Sequence, residues 1–345
     1  FQTKPTSKII WIGGKPLLSF YTKSKKKQTY EMAKLTFHAK TRISEISLER
    51  EKGIWLVELL QKISIDQPLS LTFAQVKADF ETQFEFKFAD SQELNITDSR
   101  AVENFFDEFQ PQFCVNAAAY TTVDLAEKEV DKAFAVNAVG VANISEACKN
   151  SNTTLIHIST DYVFDGDTNI SYSEDNFTNP QGVYGASKLK GEELALENNP
   201  RTIILRTSWL YSEFNKNFVK TMLELFAVKD ELGIVADQFG QPTNANDLAK
   251  AVLKIIESDP KVFGIFHVSN YSETTWYDFA SKIADFSGSK IKLNPITTAE
   301  FPTPAKRPKR STMALDKIEE VYQIGPIHWE ISLQDCLEIL EKTNE

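Results

Sequence analysis

The chain has 345 residues with 38 Lys and Arg against 48 Asp and Glu, a formal charge of −10, and 42% of its residues are apolar. That apolar share is enough for a sizeable core and excludes wholesale disorder. No apolar run approaches the roughly 18–20 residues of a membrane span. Three scattered cysteines, Cys114, Cys148 and Cys336, form neither a disulfide framework nor a zinc pattern, which fits a reducing cytoplasm.

Charge is unevenly placed. Residues 1–52 hold 12 basic and 4 acidic residues, while the remainder is acidic. The acidic body speaks against nucleic acid as a partner. The run Lys23, Lys25, Lys26 and Lys27 reads as a solvated tail more readily than as a binding arm.

From about Ile54 onward, strands and helices alternate. Phe84 to Phe88 is a short aromatic strand. Ser99 to Phe109 carries Val102, Phe105, Phe106 and Phe109 at helical spacing. Gln112 to Ala118 reads as a buried strand, Glu127 to Lys149 as one long amphipathic helix, and Thr154 to Ser159 as the next strand. A helix over Tyr184 to Glu197 and a strand over Thr202 to Thr207 follow. Beyond Asp237, prolines cut the chain into shorter pieces, with a strand at Phe263 to Val268 and helices at Trp276 to Phe286 and Leu333 to Leu340. Near-continuous apolar strands alternating with helices predict an α/β fold with a doubly wound parallel sheet, covered on both faces. The expected organisation is an atypical basic segment over 1–52, a dinucleotide-binding Rossmann-type domain over 53–236 and a smaller substrate-binding lobe over 237–345 whose elements return to the sheet.

The strongest chemical signal is Tyr184 and Lys188, four apart on one helical face. A lysine charge held near a phenol favours phenolate, and a phenol so tuned can pass a proton to a carbonyl oxygen as hydride reaches its carbon. Upstream, Thr160 stands at the carboxyl end of a buried strand, where ligands bind in such sheets. Asn116 to Thr121 ends another strand with three alanines, small enough to let a flat cofactor approach the backbone.

From about Asn95 onward the chain resembles the dTDP-4-dehydrorhamnose reductases, a family of extended short-chain dehydrogenase/reductases. The resemblance rests on NAAAYTTVDLAEKE (116–129), HISTDYVFDG (157–166), VYGASKLKGE (183–192), LRTSWLY (205–211), NFVKTML (217–223), DQFGQPT (237–243) and PTPAKRPKRS (302–311). It implies that NADPH or NADH reduces the C4 keto group of a dTDP-linked 4-keto-6-deoxy sugar. By the same resemblance Tyr184 is the proton donor, Lys188 holds its pKa and the nicotinamide ribose, and Thr160 tunes the tyrosine. Thr160 and Asp161 match the sugar-contacting pair, and Trp209 matches an aromatic lying against the sugar. Ala119, Tyr120 and Thr121 match the segment beside the cofactor, and Asn95 and Ile96 a pair at its adenine. Arg307 is a candidate for the diphosphate, with a solvated tail arginine as the equal alternative. A lone Glu58, where the family can carry a metal-binding glutamate, makes no metal site, and none is expected. The partner is a small dTDP-sugar, without nucleic acid or membrane, and the chain is expected to act as a monomer or homodimer.

The resemblance breaks at the opening. The glycine fingerprint that brings backbone to the pyrophosphate falls, by counting back, on Arg50, Gly53 and Leu56, so only Gly53 survives. Gly13-Gly14, after the apolar run Lys8 to Ile12, is a rival strand and turn, but it lies about 80 residues before Asn95, farther than one strand–helix–strand unit requires. Two readings stay open: an opening up to about residue 57 that is foreign to the family, or divergence that degrades the cofactor site. The second would suit a non-catalytic, nucleotide-sugar-binding subunit. A third, a reductase relative acting on another nucleotide sugar, is disfavoured by the 237–243 and 302–308 segments.

Overall fold

In the computed structural model, residues 7–13 and 84–344 can be described. The chain divides into two compact units, one of residues 1–8 and 19–86 and the other of 9–18 and 87–345. Of the first, Lys8 and Glu85 form a loose ion pair at 4.0 Å.

Six strands form the main sheet: β1 (Ser7–Ile12), β2 (Phe84–Ala89), β3 (Phe113–Asn116), β4 (Thr154–Thr160), β5 (Thr202–Thr207) and β6 (Gly264–His267), in the spatial order β6-β5-β4-β3-β1-β2. The registers Ile9 to Phe113, Phe113 to Thr154, Leu155 to Thr202 and Gly264 to Ile203 are all parallel. The chain runs from β1 out to β2 and crosses back to β3 on the other side of β1. The order therefore reverses between β1 and β3, which makes their carboxyl ends the crevice where an open α/β sheet binds ligands.

The place of β1 corrects the sequence reading, which put residues 1–52 outside the dinucleotide-binding domain. Ile9, Ile10, Trp11 and Ile12 are buried in the sheet interior. Four consecutive apolar side chains suit a strand covered on both faces. The distance from Gly13 to Asn95 was no obstacle, because parallel pairing sets a minimum connection length and no maximum. Gly53, Arg50, Leu56 and Glu58 lie outside the described residues.

Helix α1 (Ser99–Phe109) starts at Asp98, whose carboxylate accepts the Ala101 N–H. Its buried Val102 and Phe106 join Ile10, Ile12, Cys114, Val141 and Ile144 in one core. The helix expected over Glu127 to Lys149 is broken. A short helix, Val130–Phe134, passes into a π-helical turn, Ala135–Val139, before α2 (Gly140–Asn150). The π turn sets Asn137 inward, where Oδ1 accepts the Tyr120 N–H at 2.8 Å and Nδ2 donates to the Tyr120 carbonyl and Ser187 Oγ. Such turns recur at functional sites.

Helix α3 (Val183–Asn198) crosses the π turn at Gly191, where a Cβ would come 2.1 Å from the Asn137 carbonyl oxygen. Gly191→Ala is expected to push the two helices apart and cost about 1–3 kcal/mol of stability. A urea titration checks this, and an unchanged midpoint would contradict it. A second core gathers Tyr211, Val219, Phe279, Ile283, Trp329 and Leu333 from α4 (Trp276–Phe286), α5 (Trp329–Asn344) and their neighbours. Here strands Glu231–Val235 and Lys292–Ile296 pair in parallel, outside the main sheet.

Candidate functional site

Gly13 directly follows β1. Its N–H donates to the Ala89 carbonyl at 3.0 Å, and its φ is +111°, a backbone conformation that costs L residues with a Cβ. A Cβ there would fall 2.3 Å from Ala118 N and 2.4 Å from Ala117 C. Gly13 thus lies directly against the alanine segment that follows β3, across the switch point. A bare backbone and small side chains on both sides fit a dinucleotide, whose pyrophosphate needs close main-chain approach. The signal for this glycine in the sequence is the unbroken apolar run before it.

The predicted cofactor segment divides by role. Ala119 is half-buried and Thr121 exposed, whereas Tyr120 turns its side chain inward. The Tyr120 phenol donates to Glu129 at 2.9 Å and its ring packs with Ala126 and Ala133. Asn95 is exposed, its Oδ1 accepting from the Thr97 N–H and hydroxyl. Ile96 belongs to the main core, and its side chain fills the space that a Cβ on Gly140 would enter. Of the two, only Asn95 has an exposed side chain.

Thr160 ends β4 and caps the following 3-10 turn, Asp161–Val163, by accepting the Tyr162 N–H at 3.2 Å. Its hydroxyl donates to Asp161 Oδ1 at 3.0 Å. Asp161 is 1% exposed, and burial pushes its carboxyl up to about 6, with hydrogen bonds from Ser311 and Thr160 opposing the rise. Tyr184 sits in the first turn of α3, with its ring edge-on to Tyr162 at 5.5 Å.

Burial pushes the Tyr184 phenol up to about 12; hydrogen bonding from Thr160 opposes this and the Asp161 charge adds to it. Lys188 is 2% exposed, and burial lowers it to about 8. Its Nζ donates to the Ile158 carbonyl at 2.6 Å and faces His157 Nε2 at 3.3 Å. The expected lowering of the phenol's pKa by its lysine is thus not what the ligand-free geometry gives. Removal from water dominates both groups, and the lysine Nζ is taken up by Ile158 and His157 of β4.

Trp209 follows β5 in a left-handed conformation, φ +46°. One face of its indole stacks on Trp276 with centroids 3.6 Å apart, and its edge lies where a Cβ on Gly240 would be, so a ligand can reach only what remains. Arg307 is no solvated tail residue. Its Nη2 bonds Asp124 Oδ2 at 2.8 Å, and Ala305 N–H donates to the other oxygen of that carboxylate at 3.1 Å. The 305–307 segment is thereby strapped to the short helix Val123–Ala126, which follows the 119–121 segment. Arg307 Nη1 is buried without a hydrogen-bond partner, a donor ready for an anionic ligand.

Four further polar residues were not singled out by the sequence reading: Asn116, His157, Glu192 and Arg206, all buried. For the three on strands the signal was a polar residue inside an otherwise apolar run, as in the TLIHIST of β4, whereas Glu192 lies on α3. Arg206 holds Glu192 through Nε at 3.0 Å and Nη2 at 2.7 Å, and the Ser159 hydroxyl bonds the same carboxylate.

A family profile described as "RmlD substrate binding domain" matches residues 73–342. The chain is 43% identical to a dTDP-4-dehydrorhamnose reductase of Aggregatibacter actinomycetemcomitans over 73% of this chain and 90% of that protein. Its fold is similar to the crystal structure of a dTDP-4-dehydrorhamnose reductase from Clostridium acetobutylicum, with TM-score 0.75 and 34% identity over 97% of this chain and 99% of the other. The enzyme of that name from Bacillus anthracis, solved in complex with NADP, matches with TM-score 0.75 and 29% identity over 97% and 99% of the two chains.

Proposed function

This chain belongs to the dTDP-4-dehydrorhamnose reductase family, and on that premise we propose that it reduces the C4 keto group of dTDP-4-dehydro-L-rhamnose to give dTDP-L-rhamnose, using NADPH or NADH. The observation that carries the reading is the convergence of Tyr184 and Thr160 at the carboxyl end of β4, beside a switch point at which Gly13 meets Ala117 and Ala118. When bound, the reduced nicotinamide supplies hydride to C4.

The residues of the chain then manage one proton and several contacts. Held near 12, the Tyr184 phenol is fully protonated at neutral pH and available as a donor. An alkoxide is more basic than a phenolate, so transfer to the sugar oxygen runs downhill. The Thr160 hydroxyl aims the phenol, and Asp161 beside it accepts from a sugar hydroxyl. Asn95, Ala119 and Thr121 line the cofactor, while Lys188 takes its ribose. Arg307 offers Nη1 to the diphosphate.

The reading of a binding subunit with a degraded cofactor site rested on Gly53 as the surviving glycine. The close approach of Gly13 to Ala117 and Ala118 supports the reductase reading over it. Among the described residues no helix is long and apolar enough to cross a membrane, and the three cysteines are free and buried, which suits a reducing compartment.

Trp209→Ala is expected to raise the KM for the sugar nucleotide about tenfold or more, with the cofactor KM changing by less than about threefold, because the remaining indole surface faces the sugar side. Steady-state kinetics with each ligand varied in turn checks this. An unchanged sugar KM would remove Trp209 from the site.

A further inference from the structure

A line of buried polar side chains runs from the end of β3 to α3. Asn116 and His157 are both 0% exposed. Asn116 Oδ1 accepts the Ala118 N–H at 3.1 Å, which orients the amide so that Nδ2 faces His157 Nδ1, also at 3.1 Å. An amide nitrogen only donates, so Nδ1 accepts, and the single proton of a neutral imidazole sits on Nε2. Burial alone favours the neutral ring. That Nε2 faces Lys188 Nζ at 3.3 Å. An ammonium has three donors and no lone pair, so its hydrogens would oppose the ring N–H. A neutral amine satisfies every group: its lone pair accepts from Nε2–H, one N–H serves the Ile158 carbonyl at 2.6 Å, and one N–H is left for a ligand.

We propose that His157, with its tautomer fixed by Asn116, is a positioning residue that favours the neutral amine of Lys188, so that protonating Lys188 requires the ring to give up its bond to Asn116. The consequence for turnover rests on the reductase reading; the tautomer itself does not. His157 thereby sets the pH at which a positive charge appears one helical turn from the phenol.

The other charged neighbours are accounted for. Glu192, one turn farther along α3, favours the ammonium, but Arg206 of β5 and Ser159 of β4 already hold its carboxylate. Asp161, from the 3-10 turn, acts on Tyr184. Glu127 bonds the Val183 N–H at the start of α3, and Lys132 pairs with Glu129. The π turn contributes Asn137, which is uncharged. Against the proposed tautomer stands the Asn116 main-chain carbonyl, which draws on the ring and favours its protonated form.

Nitrogen NMR of ligand-free protein labelled with ¹⁵N-histidine reads the tautomer directly, with His38, His267 and His328 assigned by replacing each in turn. The expected result is a His157 ring protonated on Nε2 and bare on Nδ1 at about pH 9, above the value of about 8 to which burial brings Lys188. A ring protonated on Nδ1 would overturn the proposal, with no variant required. Asn116→Asp, whose carboxylate accepts from Nδ1–H, is expected to move the proton to Nδ1 and to raise the Lys188 limb in the pH profile of kcat/KM by about one pH unit or more. A switched tautomer with an unmoved limb would also overturn it. If the wild-type protein shows the Nε2–H ring yet cannot reduce the keto sugar, the reductase reading fails instead.

Discussion

Tyr184→Phe is expected to lower kcat/KM for the keto sugar by about 10²–10⁴-fold, the usual worth of a general acid, or about 3–5 kcal/mol of barrier. Only the hydroxyl is lost. The ring keeps its edge-on contact with Tyr162, and α3 keeps its close packing at Gly191, so the melting temperature should stay close to that of the parent. Loss appears in kcat rather than in KM, because the proton moves only as charge develops on the sugar oxygen. Water is a poor substitute in a site where burial raises the phenol to about 12, since it is not held opposite the reacting oxygen. Single-turnover kinetics checks this, and a variant turning over within about threefold of the parent would remove Tyr184 as proton donor.

Gly13→Ala is expected to weaken NADPH and NADH binding by about 10–100-fold, or about 1.4–2.8 kcal/mol. The added methyl meets the Ala117 and Ala118 main chain well inside contact distance, and φ +111° strains any L residue. Either the turn or the alanine segment must move, and both border the switch-point crevice. Backbone strain alone costs about 1–3 kcal/mol of stability, so cofactor titration by fluorescence is paired with a denaturant curve. A folded variant with unchanged cofactor affinity would mean that the turn does not contact the dinucleotide.

Much of this site was legible before the structure because it depends on local pattern. A Tyr and a Lys four apart lie along one helix face, and a Thr at the end of an apolar run lies at a strand's carboxyl edge, whatever the rest of the chain does. What escaped was non-local. Ser7–Ile12 looked like a detached segment because sequence separation was used to judge a pairing that the sheet alone decides. The π turn at Ala135–Val139 was hidden in a continuous helical pattern, since it arises from Asn137 bonding Tyr120 and Ser187 across the fold. The charge relation of Tyr184 and Lys188 was inferred from spacing, but burial and the β4 residues Ile158 and His157 control the lysine. Arg307 was ambiguous in a Pro- and Lys-rich stretch until its bond to Asp124, far away in sequence, fixed it.

The most direct test is transfer of deuterium from nicotinamide-4-deuterated NADPH, and separately NADH, to dTDP-4-dehydro-L-rhamnose by the purified chain. The account predicts dTDP-L-rhamnose carrying one deuterium at C4, formed in step with cofactor oxidation and lost in the Tyr184→Phe protein. Binding of both ligands without deuterium reaching the sugar would contradict it.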